Sequence, residues 1–310
     1  MNLTALMEAA PMPAVAVSVF DREQVVFRGV RGAPDQAWWD LASVTKILVT
    51  LPEALDRLEL DKPLGQQWTR AAGKPVGAAT VRQLLAHNAG LPAIVQFFKT
   101  AASREEIVEG ALSLELEREP GGDAVYSDFG FLLLGELVQE VTGRSLAQLA
   151  AARTGLRFGP IGPDPAVPTE NCPWRGRLVV GEVHDENAYA MGGIAGHAGA
   201  FGTIDLVTRA ARDWFAACDP EVTQCQATNP QGERFGLGWW LGNTRGLGGP
   251  GPGQAAFGCS GFVGNRIWLE PDYGYGVVIL SNRVHPVRGD RAPFAAWCAD
   301  LLGAVGSTLR

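Results

Sequence analysis

The stretch Ala42-Ser43-Val44-Thr45-Lys46, "ASVTK", decides how the rest of the chain is read. A serine and a lysine three residues apart on a helix share one face and reach each other. At a helix start the Ser43 backbone N–H has no intrahelical acceptor and is free to face an oxyanion. A lysine that is neutral, or that shares its proton, then activates the serine as a nucleophile. Nine serines and four lysines in 310 residues would place a pair at this spacing about 0.1 times by chance. Taken alone, the pair also reads as an N-cap serine followed by a surface lysine, which is the commoner arrangement.

A second segment shifts that balance. "VYSDFGFLLLGELVQEVTG" (125–143) sets Tyr126, Ser127 and Asp128 just ahead of an apolar helix that Thr142-Gly143 ends. A tyrosine there projects into a cleft, and near a lysine its phenolate is more accessible as a base. Its bland alternative is a tyrosine packed on the core and an aspartate that caps the helix.

Strands and helices are placed by periodicity. Residues 14–20 and 25–30 read as two strands around a turn. Residues 43–58 read as a helix with an apolar stripe at Ile47, Leu51, Ala54, Leu55 and Leu58, and Pro52 marks a kink or a break in it. Thr80 opens a short helix, and Ser103 with Glu106 fits a capping box. Residues 155–180 look irregular, and a glycine-dense loop, "MGGIAGHAGAFG", precedes a helix over 205–218. Strands follow over 236–241, 254–259, 266–270 and 276–280, with a hairpin turn at 271–274, and a helix over 290–302 closes the chain. Strands at both ends with helices between predict an α/β (α+β) chain. Its sheet domain is built from residues 1–45 plus 200–310, and a mainly helical domain, 46–199, is inserted with the active site between them.

Composition excludes several classes. The chain is 46% hydrophobic and 19% charged, with a net charge of −7 and no Lys/Arg run, so nucleic acid is not an expected partner. The longest apolar runs are too short for the roughly 20 residues of a membrane span. The N-terminus lacks a basic n-region, which predicts no signal peptide and a cytoplasmic location, or a periplasmic one where a leader has been removed. Five cysteines without a CxxC, and four histidines without HExxH, point away from a disulfide framework or a metal site, and no cofactor is called for. The elbow pattern GxSxG is missing too: Gly258 precedes Ser260, but Phe262 stands where its second glycine belongs. Cys259 has no histidine near it in sequence and is a weak nucleophile candidate.

With these segments in hand, the chain resembles the serine β-lactamase and penicillin-binding-protein superfamily, in its class C β-lactamase, DD-peptidase and esterase branch. "SVTK" matches the S-x-x-K motif and "YSD" the Y-x-N motif, with Asp for Asn. "VRQLLAHNAGLP" (81–92), "VHDENAYAMGGIAGHAGAFGT" (183–203) and "FGCSGFVGNRIWLEPD" (257–272) are similar to family segments in the same order. The resemblance implies a large antiparallel sheet flanked by helices. It implies a serine hydrolase with Ser43 as the acylated nucleophile, Lys46 sharing or taking its proton, and Tyr126 as general base. The oxyanion hole would be the backbone N–H groups of Ser43 and Phe262. Asp128, Cys259, Ser260 and Gly261 would face the substrate, a small ester, amide or peptide.

Two departures matter. An ionised Asp128 accepts hydrogen bonds but donates none, and it favours a protonated Lys46. Cys259 replaces the family's Lys or His in the third motif, and a thiol is a weak donor. That loss weighs against efficient β-lactamase activity and motivates a second hypothesis, a non-catalytic or penicillin-binding protein on the same scaffold. His184 and His197 are expected to hold the glycine-rich loops, and Trp38, Trp39, Trp239 and Trp240 to form core or cleft walls.

Overall fold

The computed structural model describes residues 3–162, 164–242 and 244–309. Along the chain, β1 (Val15–Asp21) and β2 (Val25–Arg31) form the first hairpin, and β3 (Trp39–Asp40) follows. Short strands β4 (Arg157–Phe158), β5 (Asn171–Cys172), β6 (Arg177–Leu178) and β7 (Ala200–Gly202) lie in the middle. The last six are β8 (Ala227–Thr228), β9 (Arg234–Phe235), β10 (Trp240–Leu241), β11 (Phe257–Gly261), β12 (Asn265–Glu270) and β13 (Tyr275–Ser281). One eight-stranded sheet runs β2-β1-β13-β12-β11-β10-β9-β8, all pairs antiparallel. The first hairpin and the last strand meet next to the β2 edge, where Val15 on β1 pairs with Ser281 on β13. A three-stranded sheet, β3-β7-β4, ties Trp39 to Gly202 and so fixes the start of the Ser43 helix to the glycine-rich loop.

Between β3 and β7 the chain is mostly helical. Helix Asp128–Thr142 is its hub: nine of its fifteen residues are buried, so it is apolar nearly all round. Ser127 caps it by accepting from the Phe129 N–H (3.2 Å), and Gly143 ends it in the left-handed conformation. Gly196 crosses it so closely that a Cβ there would lie 2.1 Å from the Phe131 carbonyl oxygen. This close approach, and not loop flexibility, is what "GIAGHAG" encodes at that point.

Several expectations are refined. The helix after Ser43 passes through a π-helical turn, Lys46–Thr50, before Leu51–Arg57. The Leu51 N–H reaches back five residues to the Lys46 carbonyl. Pro52, which has no N–H to give, falls in the first turn of the next segment, where none is needed. Thr80 forms a full capping box with Gln83. Ser103 accepts from the Glu106 N–H (3.2 Å), but the Glu106 carboxylate turns to Ala102 N–H (2.8 Å), so that box is half formed.

Of the strand expected over 236–241 only β10 (Trp240–Leu241) forms; residues 236–239 turn back from β9, and there the Gly238 N–H donates to Leu85 O (2.8 Å). The strand expected over 254–259 starts at Phe257, because side-chain carboxylates take the earlier amides. Gly253 N–H donates to Glu270 (2.9 Å) and Ala255 N–H to Asp272 (3.0 Å). The last helix extends to Ala292–Leu309. Among the described residues it is the one helix long and apolar enough to cross a membrane by length and composition. One face of it packs onto the rest of the chain: Trp297, Cys298, Leu301 and Val305 are buried, and Trp297 Nε1 donates to Leu6 O (2.7 Å).

Candidate active site

Ser43 lies in the turn that opens its helix, just after Ala42, which is held at φ 46°. The next amides bond three residues back, Val44 N–H to Leu41 O and Thr45 N–H to Ala42 O, both at 3.0 Å. Neither the Ser43 N–H nor the Phe262 N–H has an acceptor among the described residues. Those are the two amides the resemblance assigns to the oxyanion hole, and both remain available to a ligand.

Lys46 is buried, and its ammonium spends each of its three hydrogens. They go to Ser43 Oγ (2.9 Å), Asp128 Oδ1 (2.7 Å) and the His197 carbonyl (3.2 Å). Burial alone would push its pKa down, but the Asp128 carboxylate and the nearby Tyr126 outweigh it, and the pKa ends above the ordinary lysine value. The arrangement favours the ammonium form of Lys46, which has no lone pair for the Ser43 proton.

The Lys46 Nζ sits 5.1 Å from the Tyr126 ring centroid, and the Arg245 guanidinium 5.8 Å from it. On the buried side the His87 ring packs on Tyr126 at 4.5 Å between centroids. His87 Nδ1 accepts from Ser127 N–H (3.2 Å), and burial, with Lys46 nearby, pulls its pKa down to about 3. It is therefore a neutral wedge that fixes the Tyr126-Ser127 turn.

Ser43, Tyr126, Asp128, Ser260, Gly261 and Phe262 line one cleft of about 220 Å³. Lys46 and Cys259 lie on a smaller pocket at its floor with Ser43 and Tyr126. The catalytic and substrate-facing residues singled out from the sequence thus come together, although they lie on three separate stretches of chain. Gly261 is required there: a Cβ on it would sit 2.7 Å from the Leu41 carbonyl oxygen and 3.3 Å from the Ala42 methyl. Only a bare backbone lets β11 approach the Ser43 turn so closely.

A serine, an ammonium, a phenol and an open pair of amides thus surround one cleft, and the Beta-lactamase family model matches residues 2–300. The chain belongs to the beta-lactamase family. Among relatives, it is 27% identical over 256 residues to an N-acetylmuramyl-L-alanine amidase of Bacillus subtilis strain 168, covering 66% of this chain and 56% of the amidase. It is 26% identical over 343 residues to a putative D-alanyl-D-alanine carboxypeptidase of Escherichia coli K12, covering 88% of this chain and 79% of that protein. The octameric penicillin-binding protein homologue from Pyrococcus abyssi shares the fold, with a TM-score of 0.75 at 18% identity over 99% of this chain and 78% of that one. As a beta-lactamase-family protein, the chain is a serine hydrolase.

Within the family layout, Cys259 is a buried β11 residue. Burial pushes its thiol up to about 12, so it offers neither charge nor thiolate. The cations that the sequence could not place lie on the cleft wall instead, where Arg245, Arg288 and Arg291 line it. Arg245 is tied to Glu233 (2.8 Å). Arg288 bonds Glu170 (2.6 and 2.8 Å) and Glu186. Arg291 has no carboxylate partner among the described residues, and neither does Arg283, which donates to the Phe262 carbonyl (2.7 Å). Burial and the repulsion of Arg291 both hold the Arg283 pKa below its usual value. No motif marked these residues, because they lie on loops far from Ser43 in sequence.

The histidines do hold loops, and they also touch the site. His197 Nε2 pairs with Asp185 (3.0 Å) while its carbonyl anchors Lys46. The His184 ring stacks on Phe262 at 5.6 Å. Glu170, Cys172 and Glu186 bring possible metal-ligand atoms within 4.8 Å of one another. The Arg288 guanidinium already occupies that acidic cluster, which fits the chemistry of a closed ion-pair network better than a metal site.

Proposed function

We propose that this beta-lactamase-family protein hydrolyses an ester or amide through an acyl-enzyme on Ser43. The observation that carries the reading is the Lys46 ammonium, held between Ser43 Oγ (2.9 Å) and Asp128 (2.7 Å) beside the Tyr126 ring. Tyr126, as general base, takes the Ser43 hydroxyl proton, and Oγ attacks the substrate carbonyl carbon. The oxyanion that forms is received by the Ser43 and Phe262 N–H groups. Collapse breaks the bond to the leaving group, which takes the proton from Tyr126. Water, giving its proton to Tyr126, then attacks the acyl carbon; collapse breaks the bond to Ser43 Oγ, which takes that proton back from Tyr126, and the acid leaves. Lys46 keeps its proton throughout and stabilises negative charge on Ser43 Oγ.

Substrate polarity follows from the two departures. Asp128 accepts, so it suits an N–H on the acyl side of the scissile bond. The usual third-motif cation is absent, so a substrate anion is received by Arg291, which lines the cleft with Phe262 and repels Arg283 behind it. The amidase and carboxypeptidase relatives support a peptide amide or related ester over a β-lactam.

Intact-mass measurement after exposure to a fluorophosphonate, a fluorescent penicillin and a p-nitrophenyl ester tests the reading. One covalent adduct on Ser43 is expected, phosphonyl from the fluorophosphonate and acyl from the penicillin or ester, with ester turnover abolished in Ser43→Ala. Equal turnover by parent and Ser43→Ala would leave a binding protein on this scaffold. Arg291→Gln is expected to raise KM for a carboxylate-bearing ester about tenfold and to leave a neutral ester unchanged. An unchanged KM for both would remove the anion role.

A further inference from the structure

Asp40 is a buried carboxylate at the end of β3, three residues before Ser43. It makes no ion pair with Lys or Arg among the described residues. Its two oxygens instead accept from two backbone amides. Oδ1 takes the Ala42 N–H (2.7 Å) and Oδ2 the His184 N–H (2.6 Å). Its own carbonyl accepts from Asn265 Nδ2 (2.8 Å), on the strand that leaves the Phe262 turn. Asn265 Oδ1 in turn accepts from Ser281 N–H (3.2 Å).

Each contact bears on the oxyanion hole. Ala42 is an alanine in the left-handed region, a conformation that costs free energy unless something holds it. The bond to Asp40 Oδ1 holds it, and the direction of the next amide, Ser43 N–H, depends on it. His184 stacks on the Phe262 ring, and Ala42 packs with Val263 and Val284 in a small apolar cluster of its own behind that turn. The second oxyanion amide, Phe262 N–H, is therefore braced from the His184 side and from the Asn265 side. All three braces end on one residue.

We propose that Asp40 is the positioning residue of the oxyanion hole, clamping the Ser43 and Phe262 amides into one pocket through Ala42, His184 and Asn265. A carboxylate is required because both partners of its side chain are donors. Asparagine presents one oxygen and one NH2, so it satisfies either Ala42 or His184 and meets the other N–H with a donor. The residue touches no substrate and acts through the groups it holds. The proposal rests on Ser43 being the acylated nucleophile.

The test is Asp40→Asn, with folding followed by circular dichroism and thermal unfolding. Rates of fluorophosphonate labelling and p-nitrophenyl ester turnover are measured per folded molecule. Loss of alignment at one oxyanion donor predicts a fall of about 100-fold in acylation rate and in kcat, with KM within about twofold. Ala42→Gly in the Asp40→Asn background is expected to recover at least about fivefold, because glycine takes the left-handed turn without the clamp. A residue that merely supports the fold predicts no such rescue and no kcat-only loss. A parent that is never labelled at Ser43 sinks the hydrolase reading itself. A labelled parent matched by an equally fast Asp40→Asn sinks this proposal alone. An Asp40→Asn chain that fails to fold makes Asp40 a residue of the fold and also overturns it.

Discussion

Asp128→Asn tests whether Lys46 carries a permanent charge. The substitution keeps the shape of the side chain and an oxygen to accept from Lys46, and it removes the negative charge. The Lys46 side chain is 2% exposed and that of Asp128 20%, so solvent screens the pair weakly. Exchanging a charge-assisted bond for a neutral one costs about 1–1.5 kcal/mol. Stripping a buried charge of its partner altogether costs about 3–5 kcal/mol. The amide retains the contact, so the expected loss lies between, on the order of 2 kcal/mol at pH 7. For a chain of this size that lowers Tm by about 2–4 °C per kcal/mol.

The pH dependence follows from the direction of the shift. The folded Lys46 pKa is raised above the ordinary 10.5, so its contribution to stability is full below about pH 10.5. The contribution is lost as pH climbs through the folded value. Parent and variant should keep a constant Tm gap from pH 7 to 9 and converge at more alkaline pH. An Asp128→Asn protein as stable as the parent at pH 7 would refute the argument. It would mean that Lys46 is neutral and itself takes the Ser43 proton.

Three further substitutions separate the remaining roles. Tyr126→Phe keeps the ring against His87 and removes the base, so kcat is expected to fall about 10²–10⁴-fold with KM little changed; near-parental turnover would return the base to Lys46. Cys259→Ser is expected to keep activity within about threefold, and the folded parent should resist iodoacetamide at Cys259 near pH 8, since burial holds that thiol up at about 12; rapid alkylation there with loss of activity would make the thiol part of the chemistry. His87→Asn tests acid stability. The folded His87 pKa is about 3 against an ordinary 6.5, so the unfolded chain binds this proton first and stability falls as pH drops from 6.5 towards 3, by up to on the order of 4 kcal/mol. Asparagine tolerates the left-handed φ of 60° and does not titrate. Its stability should depend less steeply on pH over that range, and identical slopes would exclude His87 as the acid-sensitive group.

What the sequence made legible follows from the range of the forces involved. Helix Asp128–Thr142 announces itself locally, through Ser127, Gly143 and an apolar run between them. Strands β1, β12 and β13 are long enough to show β-branched and alternating patterns. Strands β3, β4, β7 and β10 have two or three residues each, too few for any period, and exist because distant partners pair with them. The same division holds in the site. Ser43 and Lys46 were readable because their spacing on a helix start implies contact, and Tyr126 and Asp128 because they open the apolar helix and resemble a family motif. Asp40 gave no such signal: an aspartate ahead of a helix reads as an ordinary polar residue until the fold buries it between two amides. The wall arginines were invisible for a like reason, since their meaning comes from which carboxylates they lack.

The substitutions at positions 128 and 259 also make sense together. A lysine at 259 would share the floor pocket with Lys46, and two buried ammonium groups would compete for one carboxylate. With Asp128 fixing one charge on Lys46 and Cys259 adding none, the floor is electrically balanced, and Lys46 has no reason to give up its proton. Attraction for a substrate anion then has to come from elsewhere in the cleft. Arg291 and Arg283, mutually repelling and without carboxylate partners among the described residues, stand beside Phe262, where an anion would relieve that repulsion. On the proposed reading, Arg291 on the cleft wall supplies the positive charge that the buried Cys259 thiol does not.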